Sequence, residues 1–144
     1  MSDSPDREVV STRLFKFPRE RVFQAWTDPQ ELAQWWGPAG FSNTFDEFDL
    51  RPGGHWRFTM HGPDGKDYPN HSTFLELNPP SLLSFDHVNG PHFRATITFT
   101  EEAGGTRVLW KMLFGTATEY EALKGLIAGA NEQNLDRLEA SLAG

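Results

Sequence analysis

Five histidines and no cysteine frame the chemistry open to this chain. Histidine changes charge near neutral pH and is a common metal ligand. His55 and His61 fall on the same wet face of one expected strand but six residues apart, too far for a local ligand pair. His92 is read as pointing outward. His71 lies in a segment whose inner face stays open between Asn70, Ser72, Phe74 and His71, Thr73, Leu75. No metal centre is expected. His87 differs, because in SLLSFDHV it shares a face with Leu83 and Phe85, taken as the inner one. A buried imidazole needs a hydrogen-bond partner or a ligand, and the plainer reading is a satisfied core or rim histidine.

Carboxylates are the other proton carriers. Asp46, Glu47 and Asp49 precede Arg51, and together with Asp86 they read as solvated charges on strand faces. Glu76 is kept apart because it shares a strand face with Phe74; turned inward, it would be a buried acid with a raised pKa. His87 and Glu76 are therefore the two catalytic candidates. No nucleophile elbow marks a Ser-His-Asp arrangement, and neither phosphate-binding glycine pattern is present, which argues against nucleotide binding. Without cysteine there is no thiolate nucleophile, disulfide, Cys-ligated zinc or iron–sulfur cluster.

The excess of this composition is aromatic. Phe, Trp and Tyr make 13% of the chain while all hydrophobic residues make only 38%. Each buried ring removes roughly 150–250 Å² from water, so rings must build much of the interior. Trp36, Trp56, Phe58, Met60, Phe74, Phe93, Trp110, Met112 and Phe114 are the candidates for lining a ligand pocket, with His87 beside them. Asn131 and Asn134 on the last helix would add polar orientation. Trp36, next to Gly37-Pro38, is expected to guard the mouth on a mobile loop.

Alternation and punctuation define the elements that carry these side chains. Turn sequences recur at Arg51-Pro52-Gly53-Gly54, Gly62-Pro63-Asp64-Gly65, Asn78-Pro79-Pro80-Ser81, Asn89-Gly90-Pro91 and Gly104-Gly105. They separate strands expected near 8–17, 41–50, 54–61, 67–78, 82–88, 92–101 and 105–115, read as a seven-strand meander. Trp56-Phe58-Met60, Phe93-Ala95-Ile97-Phe99 and Val108-Trp110-Met112-Phe114 alternate with polar or mixed residues, as in an antiparallel sheet covered on one side.

Two short helices are expected between the first two strands. Pro18 opens one in its first turn, burying Val22, Ala25 and Trp26. Asp28 caps the next, with Pro29 at its first position and Glu31 completing a capping box over Leu32, Trp35 and Trp36. A long helix from Thr118 to Leu142, with Thr118 and Glu121 as its capping pair, covers the sheet through Leu123, Ile127, Leu135, Leu138 and Leu142. Its weak middle, Gly125, Gly129, Ala130 and Asn131, reads either as close approach to the sheet or a kink, or as room left for a ligand.

At 144 residues and a net charge of −7, the chain reads as a single domain over 7–144 behind a disordered tail over 1–6. The scattered basic residues argue against nucleic-acid or anionic-membrane surfaces. The start MSDSPDREVV lacks the apolar stretch of a signal peptide and no run is long enough to span a bilayer, so a soluble cytoplasmic protein is expected, monomeric or homodimeric. No cofactor is expected.

FPRERVFQAWTDPQELAQWWGPAGF, DLRPGGHWRFTMHGPDG, FLELNPPSLLSF, ITFTEEAGGTRV and NLDRLEASL, in that order, resemble the branch of the START-like (SRPBCC) superfamily named for the activator of heat shock protein 90 ATPase. The resemblance implies an α+β helix-grip fold: a curved antiparallel sheet of about seven strands around a long C-terminal helix, two short helices after the first strand, and a deep apolar cavity. It implies several functions. The preferred one is binding of a hydrophobic small molecule between sheet and helix. The alternatives are a cyclase, dehydratase or hydrolase acting on a polyketide-like substrate, and a chaperone-interaction domain. The N-terminal domain that precedes this module in eukaryotic chaperone activators has no counterpart here, and neither has the Rieske-type cluster of the oxygenase members.

Overall fold

A computed structural model describes residues 7–144; the tail expected over 1–6 lies outside the described residues. The elements in chain order are β1 (Glu8–Phe15), α1 (Arg19–Thr27), α2 (Pro29–Trp35), β2 (Ser42–Phe48), β3 (His55–His61), β4 (Asp67–Asn78), β5 (Leu82–His87), β6 (Phe93–Glu102), β7 (Gly105–Phe114) and α3 (Ala117–Ala143). The fold is the helix-grip α+β architecture, a curved antiparallel sheet around the C-terminal helix.

The sheet order β1-β7-β6-β5-β4-β3-β2 corrects the simple meander. Only β2 to β7 run in sequence. β1 pairs with β7 in an unbroken register from Glu8↔Leu113 to Phe15↔Thr106, at the edge opposite β2. The connection α1–α2 makes this possible by carrying the chain from one sheet edge to the other. It buries Val22, Phe23, Ala25 and Trp26 from α1 and Leu32 and Trp35 from α2 on the way.

The helix starts show how local chemistry was redistributed. Pro18 is the N-cap of α1 rather than its first helical residue. Asp28 does cap α2, accepting from the Gln30 N–H at 2.9 Å, but the capping box does not close. Glu31 turns instead to Arg21 at 2.8 Å and Gln24 at 2.9 Å, tying the two helices together. On α3 the capping pair is Thr116 with Glu119, two residues before the expected one, the Thr116 hydroxyl accepting from the Glu119 N–H at 3.1 Å.

Along α3 the inward positions are Asn131, Asn134, Leu135, Leu138 and Leu142, all buried, while Leu123 and Ile127 are half-covered. The helix therefore packs tightly through its second half and stands looser in its first. Arg13 on β1 fastens that second half, with Glu132 at 3.0 Å and Asp136 at 2.8 Å. Gly125 and Gly129 are exposed and a side chain there would meet nothing within 4 Å, so neither close approach nor cavity accounts for them. Leu126 beside them is 71% exposed.

Gly105 is the opposite case. A Cβ on it would run into the backbone of Phe15 and Lys16, where β7 starts beside the end of β1. Both obstacles are main chain, so Gly105→Ala is expected to destabilise the fold by about 3 kcal/mol or to block its accumulation; Gly104→Ala, with open space around it, lacks that clash and loses only its left-handed backbone preference. Comparing the two urea midpoints checks this.

Candidate functional site

A cavity of about 220 Å³ lies between the inner face of the sheet and the middle of α3. Alternation on the strands builds its walls: Trp56, Phe58 and Met60 from β3, Phe85 and His87 from β5, Phe93 from β6, Trp110 and Met112 from β7. Ile127, Ala130, Asn131 and Asn134 of α3 close it from above, and Trp36 joins from the end of α2. Met60, Asn70, Pro91, Phe93 and Ile127 are partly exposed, so the cavity opens where β3, β5 and β7 end and β4 and β6 begin. Among the described residues no Asp, Glu, Lys or Arg lines it.

All the side chains expected at a pocket reach this one except Phe74 and Phe114. Those two are fully buried behind it, Phe74 against Trp56, Phe85 and Phe48, Phe114 against Phe93 and Tyr120. Their alternation is correct, but a residue further along each strand lies beyond the cavity. Reading missed Phe85, whose place was already given by its shared face with His87. Asn70 and Ser72 were missed because the facing of β4 was left open, and the pairing Ser72↔His87 now settles it.

Trp36 packs among rings, and the loop after it is held by α3. Its ring centroid lies 5.4 Å from that of Trp56, 5.5 Å from Trp110 and 5.9 Å from Trp26, inside the aromatic cluster. The Gly37-Pro38 loop is tied down by α3. The Asn134 carboxamide oxygen accepts from the Gly37 N–H at 2.7 Å, Gln133 accepts from Ala39 at 3.0 Å, and Arg137 donates to the carbonyls of Gln34, Gly37 and Pro38 at 2.7–3.0 Å. A cation at the C-terminal end of α2 also suits that helix's exposed carbonyls. Burial lowers the Arg137 pKa from its ordinary value without threatening its charge.

His87 is 7% exposed and both its ring nitrogens are engaged. Nδ1 lies 2.8 Å from the Pro91 carbonyl and Nε2 2.7 Å from the Asn70 carboxamide oxygen, whose amide nitrogen donates to the Tyr68 carbonyl at 2.8 Å. The ring stacks on Phe93 at 4.8 Å and 10°. It is the satisfied rim histidine, with neither nitrogen left to exchange a proton with an occupant. Glu76 is exposed. A register shift between Phe74 and Glu76, with Phe74 opposite Phe85 but Glu76 opposite Ser84, moves it off the inner face. The two proton-transfer candidates are thus not brought together.

Burial holds the His87 pKa below its ordinary 6.5, the Pro91 carbonyl opposing only in part. The unfolded chain then binds the proton more readily than the native one as pH falls below about 6.5, so native stability falls with it. His71 on the outer face shifts in the same direction through desolvation, Arg57 and His55. Urea midpoints measured from pH 7.5 to 5.5 are expected to decline, at no more than about 1.4 kcal/mol per pH unit per group, and His87→Gln to flatten the slope.

The remaining charged groups of the sequence reading are surface pairs: Asp49 with Arg51, Glu47 with Arg57 and Asp86 with Arg94, each at 2.9 Å. His55 faces His71 at 2.9 Å and His61 faces Asp67 at 2.7 Å. Among the described residues no three such groups converge as metal ligands would, and no helix is long and apolar enough to cross a membrane.

The polar atoms left over are instructive. Among the described residues Trp56 Nε1, Trp110 Nε1 and Ser72 Oγ on cavity-lining residues, and Trp26 Nε1, Arg19 Nε and Asn43 Oδ1 elsewhere, have no hydrogen-bond partner. Asn131 is 3% exposed, and its carboxamide nitrogen donates to Ser11 Oγ and to Met112 Sδ, each at 3.4 Å.

Solved structures share this architecture. Protein Ms6760 from Mycobacterium smegmatis is 29% identical, with a TM-score of 0.85 and 99% of this chain and 95% of that one covered. Protein NE0264 from Nitrosomonas europaea is 22% identical, with a TM-score of 0.89 over 99% and 98%. The AHSA1 (SPO3351) protein from Silicibacter pomeroyi is 21% identical, with a TM-score of 0.80 over 94% and 97%. No curated protein matches the chain. The family model described as "Activator of Hsp90 ATPase homolog 1-like protein" matches residues 16–143, and with that match over nearly the whole chain the protein belongs to this family.

Proposed function

We propose that the domain holds a compact, largely apolar small molecule in the cavity between its sheet and α3. The observation carrying this reading is the cavity of about 220 Å³ in a wall of rings, placed under the middle of α3 where its close packing on the sheet ends. A packed interior has few voids larger than a water, and an apolar cavity of about 150 Å³ accepts benzene, so this one suits one or two fused rings. Thermal melts with a panel of such aromatics test it. A ligand at ten times its Kd stabilises by about 1.4 kcal/mol, a rise of a few degrees. Ala130→Phe, which fills the cavity from α3, is expected to abolish the rise; equal shifts in both proteins would rule the cavity out.

The second reading is a protein-interaction domain that contacts an Hsp90-type chaperone. It is favoured by the family description itself, and the comparisons speak more directly for it than for a particular ligand. Its test is a low-salt pull-down with purified Hsp90-type chaperone, together with the chaperone's ATPase rate. Absence of both association and stimulation would count against it. The two readings are compatible, since the cavity is internal and a partner would use the outside.

A further inference from the structure

Apolar walls alone would leave the cavity indifferent to an occupant's polar groups, but Asn131 puts a carboxamide into this wall. It stands on the inward row of α3 in series with Leu135, Leu138 and Leu142, where another Leu would pack without penalty. Asn134, its neighbour on that row, is fully explained by holding the Gly37 N–H. The Asn131 nitrogen donates to Ser11 Oγ and to Met112 Sδ, each at 3.4 Å, while its oxygen accepts from no described residue. A buried carbonyl oxygen without a donor is destabilising, so the position makes physical sense once an occupant supplies one.

The indole N–H groups of Trp56 and Trp110 and the Ser72 hydroxyl also lack a partner among the described residues, but so do Trp26 Nε1, Arg19 Nε and Asn43 Oδ1 away from the cavity, and all of them are sealed from solvent-sized space. The polar group offered to an occupant is thus the acceptor on α3. Among the described residues no ionised side chain lines the cavity. A carboxylate or ammonium would enter without a counter-charge, which is strongly unfavourable in such a medium.

We propose that the cavity selects a neutral hydroxyarene of one or two rings, its hydroxyl hydrogen donated to the Asn131 carboxamide oxygen. This rests on the cavity being the ligand site, and the test separates the two claims. The probes are 2-naphthol, naphthalene and 2-naphthoate at pH 7, titrated into the isotopically labelled protein and followed by amide and indole N–H shifts. 2-Naphthol is expected to bind about tenfold more tightly than naphthalene, the gain of one net hydrogen bond at the upper end of its usual range, and 2-naphthoate to bind more weakly than either. Asn131→Leu is expected to erase the preference for the hydroxyl while still taking naphthalene, whose titration also reports that the variant is folded and its cavity intact. Asn131→Ala provides the same comparison if the larger side chain is not accommodated. Equal affinity for naphthol and naphthalene, a preference that survives both substitutions, or tightest binding of the naphthoate would overturn the assignment of the hydroxyl. Failure of all three probes to shift cavity resonances would instead overturn the cavity reading beneath it.

Discussion

Trp26→Ala is expected to lower stability by about 4 kcal/mol, a fall in Tm of about 10–15 °C, whereas Trp36→Ala is expected to lower it by roughly half as much. Both residues belong to one aromatic cluster, so the difference measures position. Trp26 is 1% exposed and meets Trp35, Trp36, Phe99 and Trp110 edge to face, with centroids 4.8–6.0 Å away. Removing its ring leaves a void on every side between α1, α2 and the sheet, and the surrounding rings are too rigid to collapse into it. A domain with a total stability of 5–15 kcal/mol tolerates such a loss barely or not at all. Trp36 already borders the cavity and is partly exposed, so its loss enlarges an existing space. Differential scanning calorimetry separates the two roles. Equal losses would mean that Trp36 is ordinary core and that the cavity does not reach it.

That distinction was half legible in the sequence. Strict alternation located each strand to within a residue or two and put Trp56, Phe58, Trp110 and Met112 on the inner face, because a side-chain period of two leaves no other solution once one face is buried. What alternation cannot carry is an inserted residue. The register shift after Phe74 changes neither composition nor spacing, yet it decides that Glu76 points to solvent. Partner choice between distant strands is equally silent: nothing local to β1 says that it pairs with β7, and only the need for α1 and α2 to span the sheet makes it so. The glycines of α3 misled for another reason. A small residue in a helix signals weak packing without saying on which face, and Gly125 and Gly129 face outward while Asn131 faces the cavity.

The least legible feature is the latch on the Trp36 loop, because its parts are about a hundred residues apart. From the sequence, Trp36-Gly37-Pro38 reads as a mobile gate; in the fold a single guanidinium spans the carbonyls of Gln34, Gly37 and Pro38 while Asn134 takes the Gly37 N–H. Arg137→Ala is accordingly expected to destabilise by about 3 kcal/mol, since it removes several charge-assisted hydrogen bonds and leaves the end of α2 without its cation. Arg137→Lys should recover little of this, because an ammonium is a point charge and cannot present a planar fork to carbonyls spread over five residues. Asn134→Ala removes the other half of the latch. As both side chains hold one loop, the double variant should lose less than the sum of the singles, by about 1 kcal/mol or more in a double-mutant cycle. Limited proteolysis supplies the structural readout: cleavage between Gly37 and Phe41 should appear in Arg137→Ala before the domain unfolds globally. Additive losses with no early cleavage would mean that the loop is held by the packing of Trp36 alone. The latch also bears on how a ligand reaches the cavity. Gly37 and Pro38 line the cavity and the Met60 methyl lies against Gly37, at the same end where the cavity opens past Phe93 and Ile127, so loosening the latch should speed ligand exchange, as a smaller side chain at Phe93 should.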